Sequence, residues 1–221
     1  MAEDKPRVVV WGAGGHGKVM IDALLAMGTC EVVGVFDDDE AIADRDILGI
    51  PVLSSVGRIA ELARKYDFSG VAVAIGDNFA RDKKFREIRA ARLRTPNVIH
   101  PSAHVSRFVR LGEGVTILAG ATINPGTTIE DNVCVNTAAS VDHDNYLERS
   151  CHVYPNATLT GNVRVGSFSY VGSGAVVTPG VSIHRYSYVG AGAVVLKDVP
   201  EGVIVAGVPA KEIGRQSKRP E

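Results

Sequence analysis

From Ile99 onward the chain keeps time in sixes. Ile99, Val105, Leu111, Ile117, Ile123 and every sixth residue to Val195 are Val, Ile or Leu, seventeen in succession. If about a quarter of positions in an ordinary protein carry such residues, an unbroken run of this length has odds below about one in a billion. An α-helix calls for a period of 3.6 and a simple strand for 2, so neither explains it. A solenoid with flat sides does, each six-residue unit giving one short inward-facing strand and one turn. Two positions before each aliphatic lies a second row that is mostly small or β-branched, including Val115, Ala121, Thr127, Val133, Ala139 and Cys151. Small inward partners let the wall bend at its corners. Three sides make a coil, so residues 99–199 predict between five and six coils. Coils stacked about 4.8 Å apart make a prism roughly 25 Å long. No insertion interrupts the series, so no long loop leaves the prism.

The units Val165-Gly166, Val171-Gly172 and Val189-Gly190 resemble the repeats of the left-handed β-helix, or hexapeptide, acyltransferases. The closing stretch Gly202–Lys211 is similar to the segment that ends those enzymes. The left hand is what the resemblance implies; the period alone does not give it. A solenoid used only as scaffold is the plain alternative, because folds host unrelated functions.

The repeat is absent before Ile99. Arg7–Trp11 predicts a strand, Lys18–Met27 a helix and Glu31–Phe36 a second strand ending in Asp37-Asp38-Asp39. Ser55–Tyr66 predicts a helix, Gly70–Ile75 a strand and Asn78–Leu93 a helix with Asp77 as its N-cap. This order implies a small parallel sheet covered by helices, a Rossmann-like α/β domain over residues 1–95, followed by the all-β helix over 96–221. Gly12, Gly14 and Gly17 spell GxGxxG between strand and helix, with Asp37 or Asp38 about twenty residues on, where a ribose-binding acid belongs. A dinucleotide dehydrogenase needs two such halves, and about 95 residues are too few. A nucleotide-sugar diphosphate uses the same device, since glycines admit the backbone and a helix N-terminus favours phosphate. A tight strand–helix turn with no ligand is the structural alternative.

Gly-Ala-Gly-Gly-His-Gly-Lys, the Asp pair and Ile-Gly-Asp-Asn ahead of a hexapeptide helix resemble the bacterial sugar acetyltransferases of the sialic-acid and bacillosamine type, over Val8 to Lys211. The resemblance implies that Gly14, Gly15, His16, Asp37, Asp38 and Gly76 hold the nucleotide. It also implies acetyl-CoA as co-substrate, no metal, and a homotrimer with active sites between subunits.

Acetyl transfer from a thioester needs a base, a donor for the oxyanion and a groove for CoA. Histidine is the natural base near neutral pH. Of six histidines, His143 stands out, between Asp142 and Asp144 and two residues past the inward Val141, hence on an outward turn. Sequence alone leaves open which acid orients it. The resemblance makes His143 the catalytic base and Asp144 its partner, Asn136 an amino-sugar contact and Gly161 an oxyanion donor. His152, Ser173 and Ala191 fall on CoA-contact positions, the last two differing in residue type from the relative compared. An exposed turn histidine without a role is the ordinary alternative for His143.

A net charge of −1 gives no electrostatic case for nucleic acid or an anionic membrane. The basic stretch Lys211–Arg219 reads as a solvated end. No apolar run suits a membrane helix, no signal peptide opens the chain, and three cysteines without a CxxC point to reduced cytoplasmic thiols. The expected reaction is N-acetylation of a nucleotide-linked amino sugar, a 4-amino-deoxyhexose for surface glycan assembly. The alternatives are O-acetylation of sialic acid or a related sugar, a β-helical zinc lyase, which needs three converging histidines, and a binding module without catalysis.

Overall fold

The computed structural model describes residues 5–42 and 45–216, and the chain divides into two compact units, 1–101 and 102–221. In the first unit β1 (Arg7–Trp11) is central in a three-stranded parallel sheet, with β2 (Glu31–Phe36) on one side and β5 (Gly70–Val73) on the other. Between β2 and β5 lies a small antiparallel pair, β3 (Asp46–Ile47) and β4 (Ile50–Pro51). Val8, Val9 and Val10 are at most 3% exposed, as expected of a strand run apolar on both faces. Helix α1 (Gly15–Met27) buries Met20, Ile21 and Leu24, and ends where Gly28 takes a left-handed conformation and donates its N–H to the Leu24 carbonyl. Helix α2 (Ile59–Tyr66) sends Ile59 and Leu62 into a core with Val9, Trp11, Phe36 and Val71. Asp77 caps α3 (Asn78–Ala90), accepting from the N–H groups of Phe79 and Ala80.

Four element boundaries differ from the sequence reading, the first being β5, which ends at Val73 rather than Ile75. Helix α1 starts three residues earlier, inside the glycine motif, and α2 starts at Ile59 rather than Ser55. The α3 helix stops at Ala90, where Arg92 turns left-handed.

The second unit is a parallel β-solenoid. Two-residue strands recur every six residues, from His104–Val105 to Val194–Val195. Strands 18 residues apart pair in register, as Thr122 with Ser140 and Ser140 with Thr158. Every repeat aliphatic from Ile117 to Val195 is at most 2% exposed. Val105 and Leu111, in the first coil, are half-buried. A regular kink makes each corner. The third residue after every repeat aliphatic from Leu111 to Val189 has φ between 55° and 79°. Six of these are glycine and four are Asn or Asp, the residues best suited to that region.

The final coil is closed by the strand Val203–Ala206, parallel to Tyr188–Val189, and by the strand Lys211–Arg215, antiparallel to Val203–Ala206. Lys211–Arg215 is thus an ordered strand whose residues are mostly exposed to solvent; Lys218 and Arg219 lie outside the described residues. Cys30, Cys134 and Cys151 are free thiols, the last two buried. Among the described residues no helix is long and apolar enough to cross a membrane.

Candidate active site

His143 sits on the corner after strand Ser140–Val141, its side chain 55% exposed. Its Nδ1 lies 2.8 Å from Asp144 Oδ2. Asp144 occupies the left-handed corner position, φ 59°, which turns its carboxylate back toward the preceding ring. Asp142 does something else: its Oδ1 accepts from the His143 backbone N–H at 2.8 Å and from Asn124 Nδ2 at 2.9 Å. The choice that sequence left open is thus resolved. Asp144 orients the ring and Asp142 braces the turn.

The charges follow from these bonds. The hydrogen bond that the ring gives to Asp144, followed by the nearby carboxylate charges, pushes the His143 pKa above that of a free histidine. Asn124 and then the His143 N–H hold Asp142 below the usual carboxylate range. With Nδ1 donating its hydrogen to Asp144, Nε2 carries the lone pair.

Two glycines shape the space around this pair. A Cβ on Gly161, one coil above, would stand 2.5 Å from His143 Cε1 and 2.6 Å from Nε2. A Cβ on Gly126, one coil below, would stand 2.2 Å from Asp144 Oδ1. Neither gap would admit a side chain. The Gly161 N–H also has no work in the coil. No hydrogen bond among the described residues uses it, and Pro179, one coil above, and Pro125, two coils below, have no N–H to give. The same holds for Ser173 and Ala191, stacked one coil apart and both exposed on another corner, in the column of Pro155.

Asn136 lies on that second corner, its Nδ2 3.3 Å from His152 Nε2. Its Oδ1 accepts from the Thr137 N–H. His152 is 2% exposed and stacks on Tyr154 with ring centroids 4.3 Å apart. The structure thus brings together His143, Asp144 and Gly161 on one corner, and Asn136 and His152, with Ser173 and Ala191, on another. The two corners of one chain are a full six-residue side apart, on the order of 15 Å.

In the first unit the glycine motif divides by role. Gly12, at φ 122°, and Gly17 are packing glycines: a Cβ on Gly12 would stand 2.5 Å from the Ala74 carbonyl oxygen, and one on Gly17 2.0 Å from that of Gly12. Gly14, Gly15 and Gly76 have nothing within 4 Å of the Cβ position. Asp37 spends both carboxylate oxygens on backbone, accepting from Ala13 at 2.7 Å and Asp39 at 2.9 Å. It fixes the glycine loop. Asp38 accepts from Trp11 Nε1 at 3.1 Å, with its side chain 76% exposed. The Lys84 ammonium lies 3.7 Å above the Trp11 ring. His16, in the first turn of α1, is half-buried; its desolvation, and then the Arg81 charge, lower its pKa to about 4, so it is neutral near pH 7.

Asn124, Gly126, Thr127 and Asn145 escaped the sequence reading as parts of the site. Their signal was a spacing of 18, which places Asn124 under Asp142, Gly126 under Asp144 and Thr127 under Asn145. Among the described residues, no group of three or more His, Cys, Asp or Glu is arranged to hold a metal ion.

Residues 7–88 match the family model of the PglD N-terminal domain. The chain is 31% identical over 216 residues to GDP-perosamine N-acetyltransferase of Escherichia coli O157:H7, covering 93% of this chain and 96% of that protein. It is similar to the crystal structure of PerB from Caulobacter crescentus in complex with CoA and GDP-perosamine, with 44% identity, a TM-score of 0.87, and 94% and 97% of the two chains covered. It is similar as well to the acetyltransferase domain of PglB from Neisseria gonorrhoeae FA1090 in complex with acetyl coenzyme A, with 35% identity, a TM-score of 0.88, and 95% and 100% covered.

Proposed function

Since the chain belongs to the bacterial sugar acetyltransferases of the hexapeptide-repeat superfamily, we propose that His143 is the general base with which it moves the acetyl group of acetyl-CoA onto a nucleotide-linked amino sugar. The protein is an acetyl-CoA-dependent N-acetyltransferase. The observation that carries the assignment of the base is the His143–Asp144 bond at 2.8 Å, with the Cε1–Nε2 edge of the ring seated in the room that Gly161 leaves for it.

The amine attacks the thioester carbonyl directly. As the C–N bond forms, His143 Nε2 takes a proton from the nitrogen. Asp144 stabilises the imidazolium so formed. The Gly161 N–H, unused by the coil, donates to the oxyanion of the tetrahedral intermediate. When that intermediate collapses, the C–S bond breaks and the CoA thiolate recovers the proton from His143. No enzyme-bound acyl group is required.

On the second corner, Ser173 and Ala191 offer backbone N–H groups to the CoA arm. Asn136, ordered by His152, contacts the amino sugar. Because the base and these contacts occupy different corners of one chain, a complete site takes its second half from another copy. This geometry supports a homotrimer. In the first unit Gly14, Gly15 and Gly76 give the nucleotide close approach to backbone, with neutral His16 and Asp38 beside them and Asp37 holding the loop. The acceptor is a 4-amino-deoxyhexose for surface glycan assembly. GDP-perosamine, named with the two relatives above, is the first to try. The enzyme works in the cytoplasm, where acetyl-CoA and sugar nucleotides are made.

The test is thiol release from acetyl-CoA with GDP-, UDP- and dTDP-linked amino sugars, wild type beside His143→Ala. A general base contributes on the order of 10²–10⁴ in rate. A loss of that size with the best acceptor supports the reading. Undiminished turnover by His143→Ala refutes it.

A further inference from the structure

Most corners of the solenoid close by one rule. The N–H of the inward residue that follows the corner donates to the carbonyl three residues back, as Ala139 to Asn136 at 3.1 Å, Cys151 to Glu148 at 3.3 Å and Ala157 to Tyr154 at 3.2 Å. The corner that carries His143 is built otherwise. Asn145, the inward residue there, donates its N–H to Thr127 Oγ1 at 3.3 Å. The Asp142 carbonyl instead accepts from Thr127 Oγ1 at 2.9 Å and from Asn145 Nδ2 at 2.7 Å. The same Nδ2 reaches the His143 carbonyl at 3.4 Å, while Asn145 Oδ1 accepts from the Val163 N–H at 2.8 Å.

Both side chains lie inside the prism, Thr127 at 0% and Asn145 at 1% exposure. The other inward residues of this column are Val109, Val163 and Val181. An unpaired buried amide costs more than valine, so an asparagine persists here only with its bonds made. Asn145 makes them on the peptide carbonyls on either side of the His143 α-carbon and on the coil above. The corner is thereby held from within.

We infer that Asn145 and Thr127 are positioning residues for acetyl transfer: an interior hydrogen-bond pair that fixes the peptide planes on either side of His143, and so the direction of its ring. The inference rests on reading His143 as the base. Neither residue touches substrate. Displacement of a catalytic group by about 1 Å can cost on the order of a hundredfold in rate.

The molecule supplies its own control. Ser169 Oγ donates to the His184 carbonyl at 2.8 Å and accepts from the Ser187 N–H at 3.1 Å. That bridge has the Thr127 pattern, at a corner with no proposed role in catalysis.

The experiment compares Asn145→Val, Thr127→Val and Thr127→Ser with Ser169→Ala. It measures kcat, KM for both substrates, thermal midpoint and the His143 imidazole pKa by NMR titration. Asn145→Val and Thr127→Val should each lose at least about tenfold in kcat, with KM for acetyl-CoA nearly unchanged and the imidazole pKa lowered as the ring slips from Asp144. Thr127→Ser should recover most of the rate. Ser169→Ala should lose thermal stability without losing kcat. If Asn145→Val does not fold, the Thr127 pair decides alone. Wild-type kcat and imidazole pKa in the folded valine variants would overturn the inference, as would an equal loss of kcat in Ser169→Ala. Full activity in His143→Ala would instead sink the base assignment, and the NMR comparison would still report whether the interior pair orients the ring.

Discussion

The two units use the same residue, glycine, for opposite purposes. In the first unit the open glycines, Gly14, Gly15 and Gly76, leave bare backbone uncovered, the surface proposed above for the nucleotide, while Gly12 and Gly17 let strand and helix close up. In the second unit Gly161 and Gly126 make room for side chains of their own chain, the His143 ring and the Asp144 carboxylate. One site is thus lined by backbone and formed at a loop. The other is lined by side chains set on corners that repeat with little variation. The glycine loop is pinned from one side, by Asp37 on the Ala13 N–H. A coil is paired above and below, so its reactive groups must already stand in place.

The sharpest way to break this comparison is Gly161→Ala. Gly161 has an ordinary backbone conformation and the atoms nearest the new methyl belong to the movable His143 ring, so the solenoid should keep its stability. The ring, however, must leave the position in which Nε2 faces the acceptor. The expected loss is about a hundredfold or more in kcat with a thermal midpoint within a few degrees of wild type. Parallel loss of folding would mean that Gly161 is a packing glycine like Gly17.

Asp144→Asn should have a smaller effect and a sharper signature. The carboxylate raises the His143 pKa, and a general base acts in its neutral form, so with His143 as the proposed base kcat/KM of the wild type should fall as pH drops through a value above 6.5, the ordinary histidine figure. Removing the carboxylate's charge lowers that pKa, and the acid limb of kcat/KM should move to lower pH. The plateau should drop roughly tenfold to a hundredfold, as an imidazolium loses its partner. A pH–rate profile of the two enzymes settles the direction. An acid limb that stays in place would assign the titration to another group.

The legibility of the molecule followed the number of residues that vote for each feature. Seventeen aliphatics in step made the solenoid plain. The position of His143 relative to Val141 placed it on an outward corner before any coordinates. Other features rest on single residues whose meaning is tertiary. Helix α1 begins at Gly15 although glycine is a poor helix former, because Gly17 must lie against the Gly12 carbonyl. The β3–β4 pair turns on Leu48 and Gly49, both at positive φ, and leucine hides the turn that a glycine or asparagine would announce. Asp142 and Asp144 flank the same histidine, and only the left-handed corner at Asp144 tells them apart. Asn145 is the one amide in an inward row that is otherwise small or β-branched. That exception was readable, but its purpose needed Thr127 one coil below.

The smallest effects should separate the two kinds of glycine within one motif. Gly17→Ala forces a methyl to within 2.0 Å of the Gly12 carbonyl oxygen, where rigid backbone stands on both sides. Overpacking of this kind costs about 1–3 kcal/mol, and thermal unfolding should show it as a lower midpoint. Gly14→Ala meets nothing within 4 Å. It should leave the midpoint unchanged and raise KM for the sugar nucleotide a few-fold, because the methyl occupies space reserved for the ligand and not for the fold. KM for acetyl-CoA should stay put in both variants. If Gly14→Ala binds the sugar nucleotide as well as wild type does, the open side of the motif faces solvent alone, and the nucleotide must be held elsewhere than along Gly14 and Gly15.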